Sequence, residues 1–167
     1  MAFAARLDAQ SELSPVTVDW DLAFLQAPTM QGLAYWQSLR NGHLFPSRRA
    51  LSPQAMRNFL GHVNLVDVVP GAGDSFDYVI SLEGEHAREV FGHLGGRKLR
   101  EILSPLLAER WRKSFDLPRA AAAPLRLFIR AGTAGKNWLA CEALLAPLGE
   151  DGHVQTLFWV LATWNVK

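Results

Sequence analysis

Cysteine is nearly absent from this chain: among 167 residues there is only Cys141. One thiol closes no intrachain disulfide and builds no thiolate zinc site, so packing has to hold the fold, and a reducing, cytoplasmic setting is expected. Net charge is equally scarce, with 17 Lys plus Arg against 16 Asp plus Glu, a balance of +1. That excludes a whole-molecule attraction to nucleic acid or to anionic lipid. Long hydrophobic runs are missing too. The best, Leu157 to Trp164, has the length of a strand rather than the ~18 residues of a membrane-crossing helix, so no membrane insertion is expected. The opening MAFAARLDAQSELSP lacks the cationic-then-apolar order of a signal peptide. No Gly-Lys-Ser/Thr phosphate loop, G-x-S-x-G elbow or G-x-G-x-x-G fingerprint occurs.

What is present suits one globular domain: 49% of residues are hydrophobic and 20% charged, and this length buries a core without staples. Residues 1–18 carry no sustained periodicity and read as a loose leader. Residues 19–61 read as an N-terminal helical extension. Asp19 or Asp21 is expected to cap a short helix that Pro28 interrupts. A second helix is expected from Thr29 to Arg40, stopped by Asn41-Gly42. A third should start at Ser52-Pro53, place Met56, Phe59 and Leu60 on one side, and end at Gly61.

From residue 62 to 167 the texture becomes that of an α+β domain. His62 to Val69 is rich in β-branched residues and ends at Pro70-Gly71-Ala72-Gly73. Ser75 to Leu82 alternates, with Phe76, Tyr78, Ile80 and Leu82 on one face. Helical spacing returns between Glu83 and Pro118, where Pro118 is expected to close the block. Three more strands follow: Leu125 to Arg130, Trp138 to Leu148 after a turn over Gly132 to Asn137, and Val154 to Trp164 after the turn Gly149 to Gly152. The last strand is apolar on both parities, which predicts a central position covered on both faces.

Certain residues carry a narrower likeness. Tyr35-Trp36-Gln-Ser-Leu39-Arg40-Asn-Gly42, Leu44-Phe-Pro46-Ser47-Arg48, Leu51-Ser52-Pro53 and Leu65-Val66-Asp67-Val68, followed by Phe76-Asp-Tyr78, Glu83-Gly84, Phe91-Gly92 and Leu94-Gly-Gly96-Arg97, resemble a family of stand-alone bacterial PAS proteins, abundant in alphaproteobacteria and formerly a domain of unknown function. The resemblance implies a five-stranded antiparallel sheet with helices inserted between strands 2 and 3. It also implies a sensory or regulatory role without catalysis, signalling through contact with a partner protein. With the length consumed by this fold, no effector domain is expected on the chain.

In such a fold a small-molecule cavity would lie between the sheet and the insert helices. Tyr78, Ile80, Phe91, Leu103, Leu107, Trp111, Leu127, Ile129 and Trp159 are the side chains expected around it, aromatic rings serving equally to fill a core and to line a pocket. Haem is not expected, since His86 is the sole reasonable axial ligand in the insert. Flavin is not expected either, because the insert lacks a cysteine. The ligand, if one binds, stays unnamed.

Other chemistry needs weighing. Glu83 and His86 stand three apart, as two metal ligands on one helix would, but the pair is not repeated, and a surface or capping role is favoured. The backbone at Gly95 and Gly96, beside Arg97 and Lys98, could hold an anion at a helix start. Between Arg97 and Arg119 seven cationic residues face three acidic ones, a docking face or simply a soluble helix surface. Trp111 within it should face the core rather than form an exposed stacking platform, so nucleic-acid binding is not expected. Tyr35, Trp36 and Leu39 give the extension an apolar side that a homodimer could bury. Two alternatives stand beside the sensor: an adaptor with a filled core and no ligand, and a small α+β enzyme using Glu142, a strand carboxylate with apolar neighbours on both sides.

Overall fold

The computed structural model describes residues 16–132 and 138–166. The leader residues 1–15 and most of the expected turn after Gly132 lie outside them. In chain order the elements are β1 (Val16–Asp19), α1 (Ala27–Leu39), β2 (Val63–Pro70), β3 (Phe76–Leu82), α2 (Glu85–Phe91), α3 (Leu99–Ile102), α4 (Pro105–Ala121), β4 (Leu125–Gly132), β5 (Trp138–Glu150) and β6 (His153–Val166). The strands form one antiparallel sheet in the order β1-β4-β5-β6-β2-β3, and the three insert helices fall between β3 and β4. This is the α+β architecture expected, with one strand more.

The extra strand is Val16–Asp19, at the end of the segment read as leader, paired with β4 from Val16 opposite Ile129 to Asp19 opposite Arg126. Four residues are too short for alternation to stand out in a sequence. Neighbouring expectations change as well. No helix follows Asp19; its carboxylate accepts the N–H groups of Asp21 at 2.8 Å and Ala23 at 2.9 Å, a local turn that competes with helix formation. Pro28 does not interrupt a helix but opens α1, where its missing N–H costs nothing. The stop at Asn41 and Gly42 is as expected, both with positive φ. Ser52 to Gly61 is not a helix but a run of turns: Met56 N–H reaches both Ser52 and Pro53 carbonyls, and Phe59 N–H bonds to Met56. A spacing of three between Met56 and Phe59 suits such turns as well as it suits a helix. Pro118 sits inside α4, which runs on to a left-handed cap at Ala122.

Strand alternation divides the core into two layers. One face of the sheet, with Val66, Tyr78, Ile80, Leu125, Leu127, Cys141, Ala143, Leu145, Leu157, Trp159 and Leu161, is covered by the insert helices through Leu99, Leu103, Leu107 and Phe115. The opposite face, with Val63, Leu65, Leu144, Ala146, Leu148, Phe158 and Val160, is covered by α1 and the turns after it through Trp36, Phe45, Met56 and Phe59. Strand β6 lies between β5 and β2 with residues in both layers, the central place its double-sided apolarity predicts.

The motif residues before β2 bind the extension to the sheet. Trp36 Nε1 donates to the Pro147 carbonyl at 2.9 Å, and Ser52 N–H donates to the Tyr35 hydroxyl at 2.8 Å. Arg48 pairs with Asp67 on β2 at 2.8 Å, and Thr156 on β6 donates to the same carboxylate. Part of the apolar side of α1 is therefore buried within the chain, while Met30 stays exposed. Trp36 is only 1% exposed, Tyr35 packs on Phe59 and Phe158, and Leu39 is half-buried. The expectation that a homodimer could bury Tyr35, Trp36 and Leu39 is corrected for Tyr35 and Trp36, which pack against the sheet layer within the chain, while Leu39 is half-buried.

Candidate functional site

The layer beneath α4 is not completely filled. A cavity of about 100 Å³ lies between α4 and strands β4, β5 and β6. Its walls follow from two periodicities. Strand alternation brings Leu127 and Ile129 of β4, Leu139, Cys141, Ala143 and Leu145 of β5, and Trp159 and Leu161 of β6 to the same face. Helical spacing on α4 brings Leu107, Arg110, Trp111, Ser114 and Phe115 over them, while Phe91 closes one side and Val16 another. The space exists because β5 is small at its middle: Cys141 and Ala143 lie opposite Ile129 and Leu127 in register.

One wall is an aromatic box. Phe91 meets Trp111 edge-on at 5.0 Å between centroids, Trp111 meets Trp159 at 5.8 Å, and Phe115 meets Trp159 at 6.1 Å. Such edge-to-face contacts hold the rings in fixed orientations. The polar groups on the lining are few. Ser114 donates its hydroxyl to the Arg110 carbonyl at 3.0 Å, Arg110 stands half-exposed at the rim, and burial pushes the Cys141 thiol up to about 12, so it lines the wall as a neutral group. Among the described residues no carboxylate reaches the lining.

Six of the nine expected lining residues are there: Phe91, Leu107, Trp111, Leu127, Ile129 and Trp159. Tyr78, Ile80 and Leu103 are not; they are buried core. They lie at the β3 side of the sheet, whereas the space opens over β4 to β6. Tyr78 instead donates its hydroxyl to Asp116 and accepts from Arg119 Nε, and desolvation together with the Asp116 carboxylate pushes the phenol well above its ordinary range. The residues missed on β5 were legible in principle, since pairing Leu127 and Ile129 across one strand leads to Ala143 and Cys141.

The expected anion site is taken from within. Glu83 precedes α2 rather than lying on it, and its carboxylate accepts from Leu94 N–H and, at 3.0 Å, from Gly95 N–H, with His93 at 2.9 Å. Gly96 N–H donates to the Ile80 carbonyl and Lys98 N–H to Glu101. The backbone around Gly95 and Gly96 thus does hold an anion, the chain's own, and the exposed Arg97 projects away as surface. His86 turns elsewhere, with Nε2 at 2.7 Å from Thr163 Oγ1, so it shares no site with Glu83. Among the described residues no cluster of three His, Cys, Asp or Glu could hold a metal. Part of the basic run forms ion pairs: Arg112 with Glu109 and Asp116, Arg119 with Asp116, and Arg100 with Asp77.

Glu142 is fully buried, on the face of β5 away from the cavity. Its carboxylate accepts from Leu25 N–H, Gln26 N–H, the Thr29 hydroxyl and Arg126 Nε, the last at 2.8 Å. It holds the start of α1 and the guanidinium of β4, so the enzyme alternative loses its one carboxylate to a structural role.

Among the described residues no helix is long and apolar enough to cross a membrane. A family model described as a PAS domain matches residues 25–162. No curated protein and no solved structure matches the chain.

Proposed function

The chain belongs to the PAS domain family, and from that premise we propose that it is a cytoplasmic sensory protein, without catalytic residues of its own, that takes a small molecule into the cavity under α4 and passes its occupancy to a partner protein. The family carries a sensory and signalling role. The observation that supports the finer reading is the cavity itself: about 100 Å³ walled by apolar side chains, where close-packed interiors leave few voids of that size.

A route for the signal follows from alternation. On β5, Cys141 and Ala143 face the cavity while Glu142, between them, holds the head of α1. On β4, Leu127 lines the cavity while Arg126 joins the same carboxylate. A ligand that favours one spacing of β4 and β5 therefore biases how α1 is seated, and a partner reading the α1 side meets a different surface. Such a ligand acts only through its differential affinity for the two seatings.

The test is native mass spectrometry of protein purified from cells, joined to thermal melts against a set of small apolar compounds, for the wild type and for Ala143→Leu, which fills the space. A co-purifying mass or a raised Tm that the variant lacks supports the sensor. No bound mass and identical melts for both proteins would leave an adaptor with an effectively filled core.

A further inference from the structure

Among the described residues Trp36 and Trp159 are the deeply buried tryptophans, 1% and 5% exposed. Trp36 donates its indole N–H to the Pro147 carbonyl at 2.9 Å. The indole N–H of Trp159, beside the cavity, meets no acceptor among the described residues. We propose that this N–H is the polar contact of the ligand site, and that the ligand is a compact apolar molecule carrying a carbonyl-type acceptor; this deepens the cavity reading above and rests on it.

A buried indole N–H ordinarily finds a partner, because an unmatched donor keeps the cost of leaving water. Indole nitrogen only donates, so whatever satisfies it must accept. The rings that pack on Trp159 cannot do so with an oxygen: Phe91 lies at 6.2 Å, Trp111 at 5.8 Å and Phe115 at 6.1 Å between centroids. Asn64, its register partner on β2, already accepts the Gly84 N–H on its Oδ1 at 2.7 Å. An acceptor from outside the chain reaches Trp159 through the space that this residue lines. Cys141, a free and buried thiol on the same lining, adds a weaker S–H donor, so the wall again favours a molecule that accepts. The volume, about 100 Å³, sets the size: an apolar cavity of ~150 Å³ takes up benzene, so a small ring or short branched chain fits here. A carbonyl on such a body replaces its lost water contact with the indole N–H, while the hydrocarbon part leaves water.

The test is NMR titration with cyclopentanone and with methylenecyclopentane, which puts a methylene group where the ketone has its oxygen and keeps nearly the same shape. In wild type the assigned Trp159 Nε1–H resonance should move downfield with the ketone and not with the hydrocarbon. Trp159→Phe keeps a ring in the wall and removes the donor, so the affinity for ketone relative to hydrocarbon should fall about tenfold, the scale of one hydrogen bond. Trp111→Phe should leave that ratio unchanged, and Ala143→Leu should abolish binding of both probes. A ratio that survives Trp159→Phe or falls instead in Trp111→Phe, or a Trp159 resonance indifferent to the ketone, would overturn the assignment while leaving the cavity as a ligand site. Absence of binding by both probes to wild type, or undiminished binding to Ala143→Leu, would overturn both.

Discussion

Glu142 on β5 accepts a hydrogen bond from the Thr29 hydroxyl in the first turn of α1, 113 residues earlier in the chain. A buried carboxylate from one layer thereby does the work of an N-cap for a helix in another, since Gln26, at the cap position, makes no side-chain bond to the helix. The same anion faces the positive end of the α1 dipole and the Arg126 guanidinium.

Removing that charge should be costly. Glu142→Gln presents amide hydrogens to groups that are themselves donors and leaves the buried Arg126 only the more distant Asp19, at 4.0 Å, as counter-charge, an expected loss of about 3 kcal/mol in urea unfolding. Glu142→Leu combined with Arg126→Met should recover only part of this, because the Leu25 and Gln26 N–H groups lose their acceptor. Full recovery in the double variant would show that the helix start does not depend on Glu142.

Stability should fall on mild acidification through His86. Burial first, then the nearby His62, hold the His86 imidazole below its ordinary range, with Glu89 opposing; the two rings lie 4.7 Å apart. Because the folded state binds the proton less readily than the unfolded chain, the contribution is complete above the ordinary value of about 6.5 and is lost as pH drops through the depressed folded value. Melting curves between pH 7.5 and 5 should show a steeper decline for wild type than for His86→Gln. Parallel declines would remove His86 from the account.

The single thiol offers a simple probe of the core. With Cys141 pushed up to about 12, its thiolate fraction at pH 8 is about a thousandfold below that of an ordinary cysteine, and its side chain is buried as well. A thiol-reactive chromophore should label native protein at least about a hundredfold more slowly than urea-unfolded protein. Comparable rates in both states would mean that the layer under α4 opens freely.

Close approach of α1 to the sheet should make Gly32 intolerant of a side chain. A Cβ there would lie 2.7 Å from Val160 Cγ2, and a β-branched neighbour has little freedom to yield. Gly32→Ala should destabilise by about 1–3 kcal/mol in denaturant melts despite the ~1 kcal/mol that alanine gains in helix propensity. A stabilised variant would show that α1 can lift from the sheet at little cost.

Much of this molecule could be read from order and spacing, and the reasons divide cleanly. The β2–β3 hairpin, the central place of β6 and the cavity side chains Leu107, Trp111, Leu127, Ile129 and Trp159 follow from local periodicity, which a sequence displays. Local chemistry misleads where a distant partner decides. Asp19 reads as a helix cap but closes a turn whose neighbours bond to Glu142. Ser52 to Gly61 reads as a helix until Tyr35 and the sheet fix it as turns. Tyr35 and Trp36 read as an uncovered face, since nothing near them in the chain says that Pro147, Ser52 and Phe158 are waiting. Glu83 filling the Gly95 turn is likewise a contact across the insert that spacing does not encode.

The borders of the sheet bear on how the chain can meet its neighbours. On one side β1 covers β4 over four of the described residues. On the other, β3 is shielded by Gly96 N–H on the Ile80 carbonyl and by the bridge between Val79 and Lys98, while Asp77, nearly buried on this outermost strand, caps the N–H of Tyr78 with its own carboxylate. A covered and charged margin such as that of β3 opposes the edge-to-edge joining by which exposed strands polymerise. Strand addition along β3 is thereby disfavoured as a mode of assembly.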